Sequence, residues 1–106
     1  PNAMSRKQAV ATVRIDDARI LATEWSFEEG AETGWHRHAM DYMVIPLSNG
    51  RLMVETAGGN RSEADLTLGV PYTRAAGVEH NVVNATPGRF AFLEIEFKGT
   101  GETSSG

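Results

Sequence analysis

Two histidines separated by one residue, His36 and His38, lie within the stretch TGWHRHAMDYMVIPLSNG, and the chain has a third at His80. On a β-strand, side chains two residues apart point to the same face, so His36 and His38 would present both imidazoles to one cavity. If the segment around His80 pairs with or faces that strand, three nitrogen donors converge. Imidazole suits iron, zinc, copper or nickel better than magnesium or calcium, and three protein ligands leave a coordination position open. The spacing therefore indicates a transition-metal site at His36, His38 and His80.

The same pair has a plainer interpretation. A His-x-His pair on a strand is commonly a solvated or hydrogen-bonded surface feature, and spacing alone does not decide between the two. The elements that would position the three rings therefore matter as much as the rings themselves.

Residues alternate between apolar and polar along several short segments, which is typical of β-strands. These segments are ARILATEWSFEEG, DYMVIPLS, RLMVETA, RSEADLTLG, EHNVVNA and RFAFLEIEF. Ser48-Asn49-Gly50 predicts a hairpin between the second and third segments, and Gly58-Gly59-Asn60 predicts another turn. About eight or nine short strands and no convincing helix indicate an all-β sandwich or barrel, of which a jelly roll is one form.

A chain of 106 residues has the length of one domain. We assign residues 8–98 to that domain, interpret residues 1–4 as an expression scar, and expect the polar, Gly/Ser-rich residues 99–106 to form a flexible tail.

The net charge of -4, without a basic stripe, argues against nucleic acid as a partner. No apolar run could span a bilayer and no leader pattern is present, so we expect no membrane association and a cytoplasmic location. Because the chain has no cysteine, it has no disulfide or thiolate nucleophile.

Two motifs in order make the chain resemble a small single-domain cupin of the RmlC-like type. The first runs from Gly30 through AETGW to His36-Arg37-His38 and ends at Gly50. The second contains Gly69, VPYTR, Ala75-Ala76-Gly77, VE, His80, NVV and Asn84, with Ala75 where the family has proline. The resemblance covers nearly the whole domain. It implies a jelly-roll barrel, or double-stranded β-helix, that holds a divalent transition metal (iron, zinc, nickel, manganese or copper) on the motif histidines.

The chain departs from the family at one metal ligand. The glutamate of the first motif would fall at Tyr42 or Met43, and neither is a carboxylate. Asp41 is one residue early, and strand alternation would point it away from the histidines unless a bulge turned it. The resemblance therefore implies a site of three histidines. It admits cupins that hold iron in this way, such as thiol dioxygenases, and also cupins that have lost the metal.

Four further residues are candidates for the pocket: Trp25, Tyr42, Asn84 and Phe92. Tyr42 should project into the barrel, where its phenol could bind a ligand or supply a proton as a catalytic group, although an ordinary barrel aromatic is the plainer interpretation. Asn84 could orient a ligand, or could bond to the backbone near a turn. The aromatic residues could line an apolar cavity or simply fill the core.

The last segment carries Glu94 and Glu96 on the face of Phe90 and Phe92, while its other face is wholly apolar. Burial of the outer face against a second subunit is the simplest account, so we expect a homodimer. The alternative is an ordinary strand that the N-terminal segment covers. The function that best fits these features is a metal-dependent enzyme, oxygenase-like or an isomerase or lyase, that acts on a small polar metabolite. The alternative is a non-catalytic module that binds a small molecule or a metal.

Overall fold

The computed structural model describes residues 5–99. The expected expression scar at residues 1–4 and all but the first residue of the expected tail at 99–106 lie outside the described residues. Within them the chain forms nine strands and one short 3-10 turn at Ala57–Gly59, and no α-helix. The strands are β1 (Val10–Asp16), β2 (Ile20–Phe27), β3 (His36–Arg37), β4 (Tyr42–Pro46), β5 (Gly50–Thr56), β6 (Asn60–Leu66), β7 (Tyr72–Arg74), β8 (Glu79–Asn84) and β9 (Phe90–Phe97).

The strands form two antiparallel sheets, in the orders β1-β2-β9-β4-β7 and β3-β8-β5-β6. Alternate residues of the central strands point between the sheets, as the strand pleat requires. They build a core that includes Phe27, Val44, Leu52, Phe90 and Phe92. Two packed sheets of short antiparallel strands confirm the all-β jelly roll. No helix among residues 5–99 is long and apolar enough to cross a bilayer.

The hairpin predicted at Ser48-Asn49-Gly50 is wrong. β4 pairs with β7 and β9, whereas β5 pairs with β6 and β8, so the chain passes from one sheet to the other at this point. Asn49 uses its side-chain oxygen to accept the Leu68 N–H at 2.8 Å. Gly50 lacks the positive φ of an Asn-Gly hairpin turn and is needed for space instead, because a Cβ there would lie 2.5 Å from Phe90 Cδ1.

Candidate metal centre

Strand pairing places two of the three histidines side by side. β3 pairs with β8 in a register that sets His36 directly opposite His80. Side chains opposite each other in an antiparallel pair share one face and lie close together. The expected approach of the two segments is therefore present.

His38 reaches the same point by a different route from the one predicted. β3 ends at Arg37, so His38 is not on a strand. Its backbone is fixed instead by two hydrogen bonds to the turn before β8: its N–H donates to Val78 O at 2.9 Å, and its carbonyl accepts from Gly77 N at 2.8 Å. Gly77 makes this turn possible because it adopts a φ of 96°, which favours glycine.

The three Nε2 atoms converge. His38 Nε2 lies 3.0 Å from His36 Nε2 and 3.2 Å from His80 Nε2. For metal–nitrogen bonds of about 2.1 Å, ligands at right angles stand roughly 3.0 Å apart, so these separations match three imidazoles on one ion. One donor atom from each ring lies within 4.8 Å of the other two.

The tautomer of His36 is fixed by its surroundings. His36 Nδ1 lies 2.8 Å from the carbonyl oxygen of Gly34, which can only accept a hydrogen bond. Nδ1 therefore carries the proton, and in the neutral ring Nε2 presents its lone pair to the other two histidines. This donor set fits a divalent transition ion. An ion bound between the three imidazole nitrogens would account for their short separations.

Burial keeps two of the rings neutral. His38 is 5% exposed, and loss of solvent, with smaller contributions from His36 and His80, lowers the pKa of His38 to about 4. Burial also lowers the pKa of His80 to about 4, helped by His36 and Arg74. Neutral imidazole is the form that binds metal.

Asn81 supports the loop that carries His36. Its side-chain oxygen accepts the Gly34 N–H at 2.9 Å, and its amide nitrogen donates to Glu32 at 2.8 Å and Glu55 at 2.9 Å. Sequence reasoning missed this residue. Its position next to His80 and its amide, which both donates and accepts, are the only signals that the sequence offers.

The histidines border a cavity of about 370 Å³ between the sheets. His36 and His80 line it, and so do three of the four predicted pocket residues, Trp25, Tyr42 and Phe92. Asn84 is not among the lining residues. Its amide donates to the carbonyls of Glu28 and Gly88, and its oxygen accepts the Thr86 N–H, so the pocket role expected for it is corrected to the backbone-bonding alternative.

Tyr42 is packed against a candidate ligand. It is 2% exposed, and its ring stacks on that of His38 with 3.9 Å between centroids and 21° between planes. Burial, together with the charge of Glu94, raises the pKa of Tyr42 to about 12, so the phenol keeps its proton. Asp41, by contrast, points away as alternation predicts, and its carboxylate accepts the Ala76 N–H at 2.8 Å.

A buried carboxylate, Glu94, also lines the cavity. Burial, reinforced by the neighbouring Glu96, raises the pKa of Glu94 to about 7. Its Oε2 lies 3.9 Å from His38 Nε2, while a Glu96 oxygen lies 3.9 Å from His38 Nδ1. The alternation of β9 placed Glu94 on the face of Phe90 and Phe92, but that pattern did not tell which face was the interior.

The positively charged neighbours differ in placement. Arg74 lines the cavity and lies over the Tyr72 ring at 4.5 Å, whereas Arg37 is exposed. The cavity is thus lined by two of the three imidazoles, two carboxylates (Glu63 and Glu94), two phenols (Tyr42 and Tyr72) and the guanidinium of Arg74, together with several apolar side chains.

Comparisons with known proteins give relatives that match nearly the full length. No family model matches the chain. A curated relative from Pseudomonas aeruginosa, named Beta-alanine degradation protein BauB, is 53% identical over 93 residues, covering 88% of this chain and 97% of the relative. A crystal structure from Bordetella pertussis Tohama I, described as a cupin domain, is 52% identical with a TM-score of 0.87, covering 92% of this chain and 100% of that one.

A more distant structure shows the same fold. The RmlC-like cupin family protein from Methanocaldococcus jannaschii, described as a double-stranded β-helix, has a TM-score of 0.70 at 11% identity, over 86% of this chain and 81% of that one. At that identity the likeness bears on the fold alone.

Proposed function

The chain belongs to the cupin family, and from this premise we propose that it is a metal-dependent enzyme acting on a small polar metabolite in the cavity between its sheets. Its fold and histidine cluster support a cupin that binds a small molecule or a metal ion. Oxygenase-like chemistry and isomerase or lyase chemistry both suit a site with an open coordination position.

One observation carries the proposal. The Nε2 atoms of His36, His38 and His80 meet at 3.0 and 3.2 Å beside a cavity large enough for a small ligand. His36, His38 and His80 would hold a divalent transition ion, which when bound would supply Lewis-acid or redox chemistry.

The remaining side chains of the cavity suit a polar substrate. Arg74 offers a guanidinium for a carboxylate group of the substrate. Tyr42 offers a protonated phenol from a position stacked on His38, within the same cavity. Trp25 and Phe92 provide apolar walls that exclude water around the bound molecule.

The name of the Pseudomonas aeruginosa relative gives the substrate search a direction. That protein is named for β-alanine degradation. We propose that this chain likewise acts on a small metabolite, and β-alanine with related amines, acids and thiols forms the first panel to test.

The test begins with the metal content of the purified full chain by mass spectrometry, for the wild type and for His80→Ala, with Arg37→Ala as an exposed control. We expect stoichiometric metal in the wild type and the control, and none in His80→Ala. An oxygen-uptake and product screen over the panel follows. Metal with turnover supports the enzyme, metal or ligand retention without turnover supports the non-catalytic module, and equal metal in all three variants contradicts the site.

Two expectations about the whole chain remain proposals. We propose a homodimer formed through the outer face of the five-stranded sheet, where Met43, Ile45, Leu93 and Ile95 are only half-buried. These side chains form cross-strand pairs on one apolar surface, Met43 with Ile95 and Ile45 with Leu93. The cytoplasmic location stays a prediction from the sequence.

A further inference from the structure

Glu94 is a buried carboxylate that the protein satisfies on one side only. The residue is 8% exposed and lies on the central strand β9. Its Oε1 accepts a long hydrogen bond of 3.4 Å from Trp25 Nε1. Among residues 5–99 no donor bonds to its Oε2, and a buried carboxylate oxygen without a partner is costly. Glu94 therefore needs a donor that these residues do not supply.

The three-histidine cluster does not use this oxygen. Donor atoms of Glu94 group with those of His38 and Glu96, and not with the set that the three histidines form. Glu94 Oε2 lies 3.9 Å from His38 Nε2, which is beyond hydrogen-bond distance. A second carboxylate, Glu96, lies 3.9 Å from His38 Nδ1, so this side of the cavity carries two acidic groups. This excess of negative charge favours a cationic group on a bound molecule.

The walls around Glu94 are aromatic. Trp25 on β2 and Phe92 on β9 are cross-strand neighbours, and both line the cavity together with Glu94. A protonated amine binds well in such surroundings, because the carboxylate accepts its N–H groups and the aromatic faces attract its charge. A neutral or negatively charged group in the same place would leave the Glu94 charge uncompensated. The cavity therefore favours an ammonium group at Glu94.

The positive charge of the cavity lies on another strand. Arg74 on β7 lines the cavity, and its guanidinium donates to the Thr73 carbonyl at 3.0 Å; within residues 5–99 it forms no ion pair. β4 separates β7 from β9, because Tyr42 pairs with Arg74 and Val44 pairs with Glu94. Two strand spacings of about 4.8 Å put the backbones of β7 and β9 roughly 10 Å apart. Two charges of opposite sign thus border one cavity from either side of β4.

We propose that Glu94 binds the protonated amine of the substrate, with Trp25 and Phe92 as its aromatic walls. Since Arg74 offers a site for a carboxylate, the substrate class is small amino acids whose amine and carboxylate lie at opposite ends. The inference rests on the proposed function, because it takes the cavity as the place where the metabolite binds. It adds the residue that selects for an amine, and it excludes acids and thiols that lack one.

The experiment compares β-alanine with 3-hydroxypropionate, which keeps the carboxylate but replaces the ammonium group with a hydroxyl of similar size. Calorimetric titration of the full-length protein, both as purified and metal-stripped, gives the two affinities. At about pH 8.5 Glu94 is ionised, because its pKa is about 7, and the amine is still protonated. We expect the wild type to prefer β-alanine by at least about tenfold, since 3-hydroxypropionate lacks the charged hydrogen bond. Glu94→Gln should bind both compounds alike.

The matched control is Glu24→Gln on β2. Glu24 pairs with Arg14 and is not among the residues that line the cavity, so this variant should keep the wild-type preference. A second variant, Glu94→Asp, covers the case in which Glu94→Gln does not fold. It keeps the charge on a shorter side chain, so the preference for β-alanine should remain while its affinity falls.

The amine site and the proposed function can fail separately. An equal preference in the wild type and Glu94→Gln would overturn the amine site, and so would a wild type that binds neither compound or binds both alike. Metal on the three histidines would then leave the proposed function standing. A preference that depends on Glu94 in a protein that holds no metal would instead contradict the metal-dependent enzyme and support the amine site.

Discussion

Asn81 connects the loop before β3 to the strand that carries His80. Its oxygen holds the Gly34 N–H, and the Gly34 carbonyl in turn holds His36 Nδ1. We expect Asn81→Ala to weaken metal binding about ten- to a hundredfold, because the ring orientation of a ligand depends on such outer contacts. Calorimetric titration of the stripped protein measures this, with Asn60→Ala at the exposed start of β6 as control. Equal metal affinity of both variants would show that the Asn81 hydrogen bond to Gly34 is not needed to orient His36.

The hydroxyl of Tyr42 can be removed without removing its ring, so a role in packing can be distinguished from a role in proton transfer. The structure gives its hydroxyl no hydrogen bond among residues 5–99, so Tyr42→Phe should leave the unfolding temperature and the metal content nearly unchanged. If the phenol passes a proton to substrate, turnover should fall by about a hundredfold or more. Thermal melts, metal analysis and steady-state rates on the identified substrate test this. Unchanged turnover would reduce Tyr42 to a packing role.

The candidate ligands of the site could be predicted from the sequence more easily than the side chains that surround them. His36, His38 and His80 could be named as candidate metal ligands from the sequence, because few residue types bind transition metals and the chain has only three histidines. The position of Glu94 at the cavity could not be predicted, because alternation along one strand gives two faces without showing which of them points to the interior. The answer depends on pairing with β2 and β4, which the sequence of β9 does not contain.

At the scale of elements, the connection between β4 and β5 was misread for a physical reason. Asn-Gly favours a tight turn only where glycine takes a positive φ, and Gly50 does not. β3 was likewise expected to include His38 but is only two residues long, and backbone bonds to Val78 and Gly77 replace the strand. Strand existence and face alternation were predictable, whereas the choice of sheet depended on long-range packing.

Gly50→Ala tests the close approach at this connection. The added methyl group would meet the Phe90 ring at 2.5 Å and Thr86 Oγ1 at 2.6 Å, so side chains must shift in the core. We expect a loss of about 1–3 kcal/mol in unfolding free energy, as for other overpacked sites. Urea denaturation measures it, with Ser48→Ala in the same connection as control. A loss no larger than that of the control would mean that the core yields freely here.

At the scale of the whole molecule, the outer face of the large sheet predicts the state of assembly. Ile95→Lys places a charge in the middle of the apolar surface formed with Met43, Ile45 and Leu93, and we expect it to convert a dimer to monomers. Sedimentation velocity on the wild type and the variant measures this. Asn60→Lys, at the exposed start of β6, should remain dimeric. A monomeric wild type would contradict the proposed interface.

Acid stability of the metal-stripped chain should reflect three buried groups. The folded pKa values of His38 and His80 are about 4, below the usual 6.5, so their contribution is present above pH 6.5 and is lost as pH falls towards 4. Glu94 acts in the opposite sense, because its folded pKa of about 7 exceeds the usual 4.5 and acidification relieves its burial. We therefore expect Glu94→Gln to lose more stability than the wild type between neutral pH and pH about 5. Urea midpoints in chelator measure this, and parallel curves would contradict it.

The pairing of β3 with β8 has a consequence for how the chain acquires its final shape. His38 and His80 are 42 positions apart, so an ion held by both would clamp shut a long loop of polypeptide. Closing such a long loop costs more chain entropy than forming the β5–β6 hairpin inside it, because the two strands of the hairpin are close in sequence. An ion supplied during refolding should therefore stabilise the late pairing of β3 with β8 and slow its separation. The β5–β6 hairpin should form at the same rate with or without the ion.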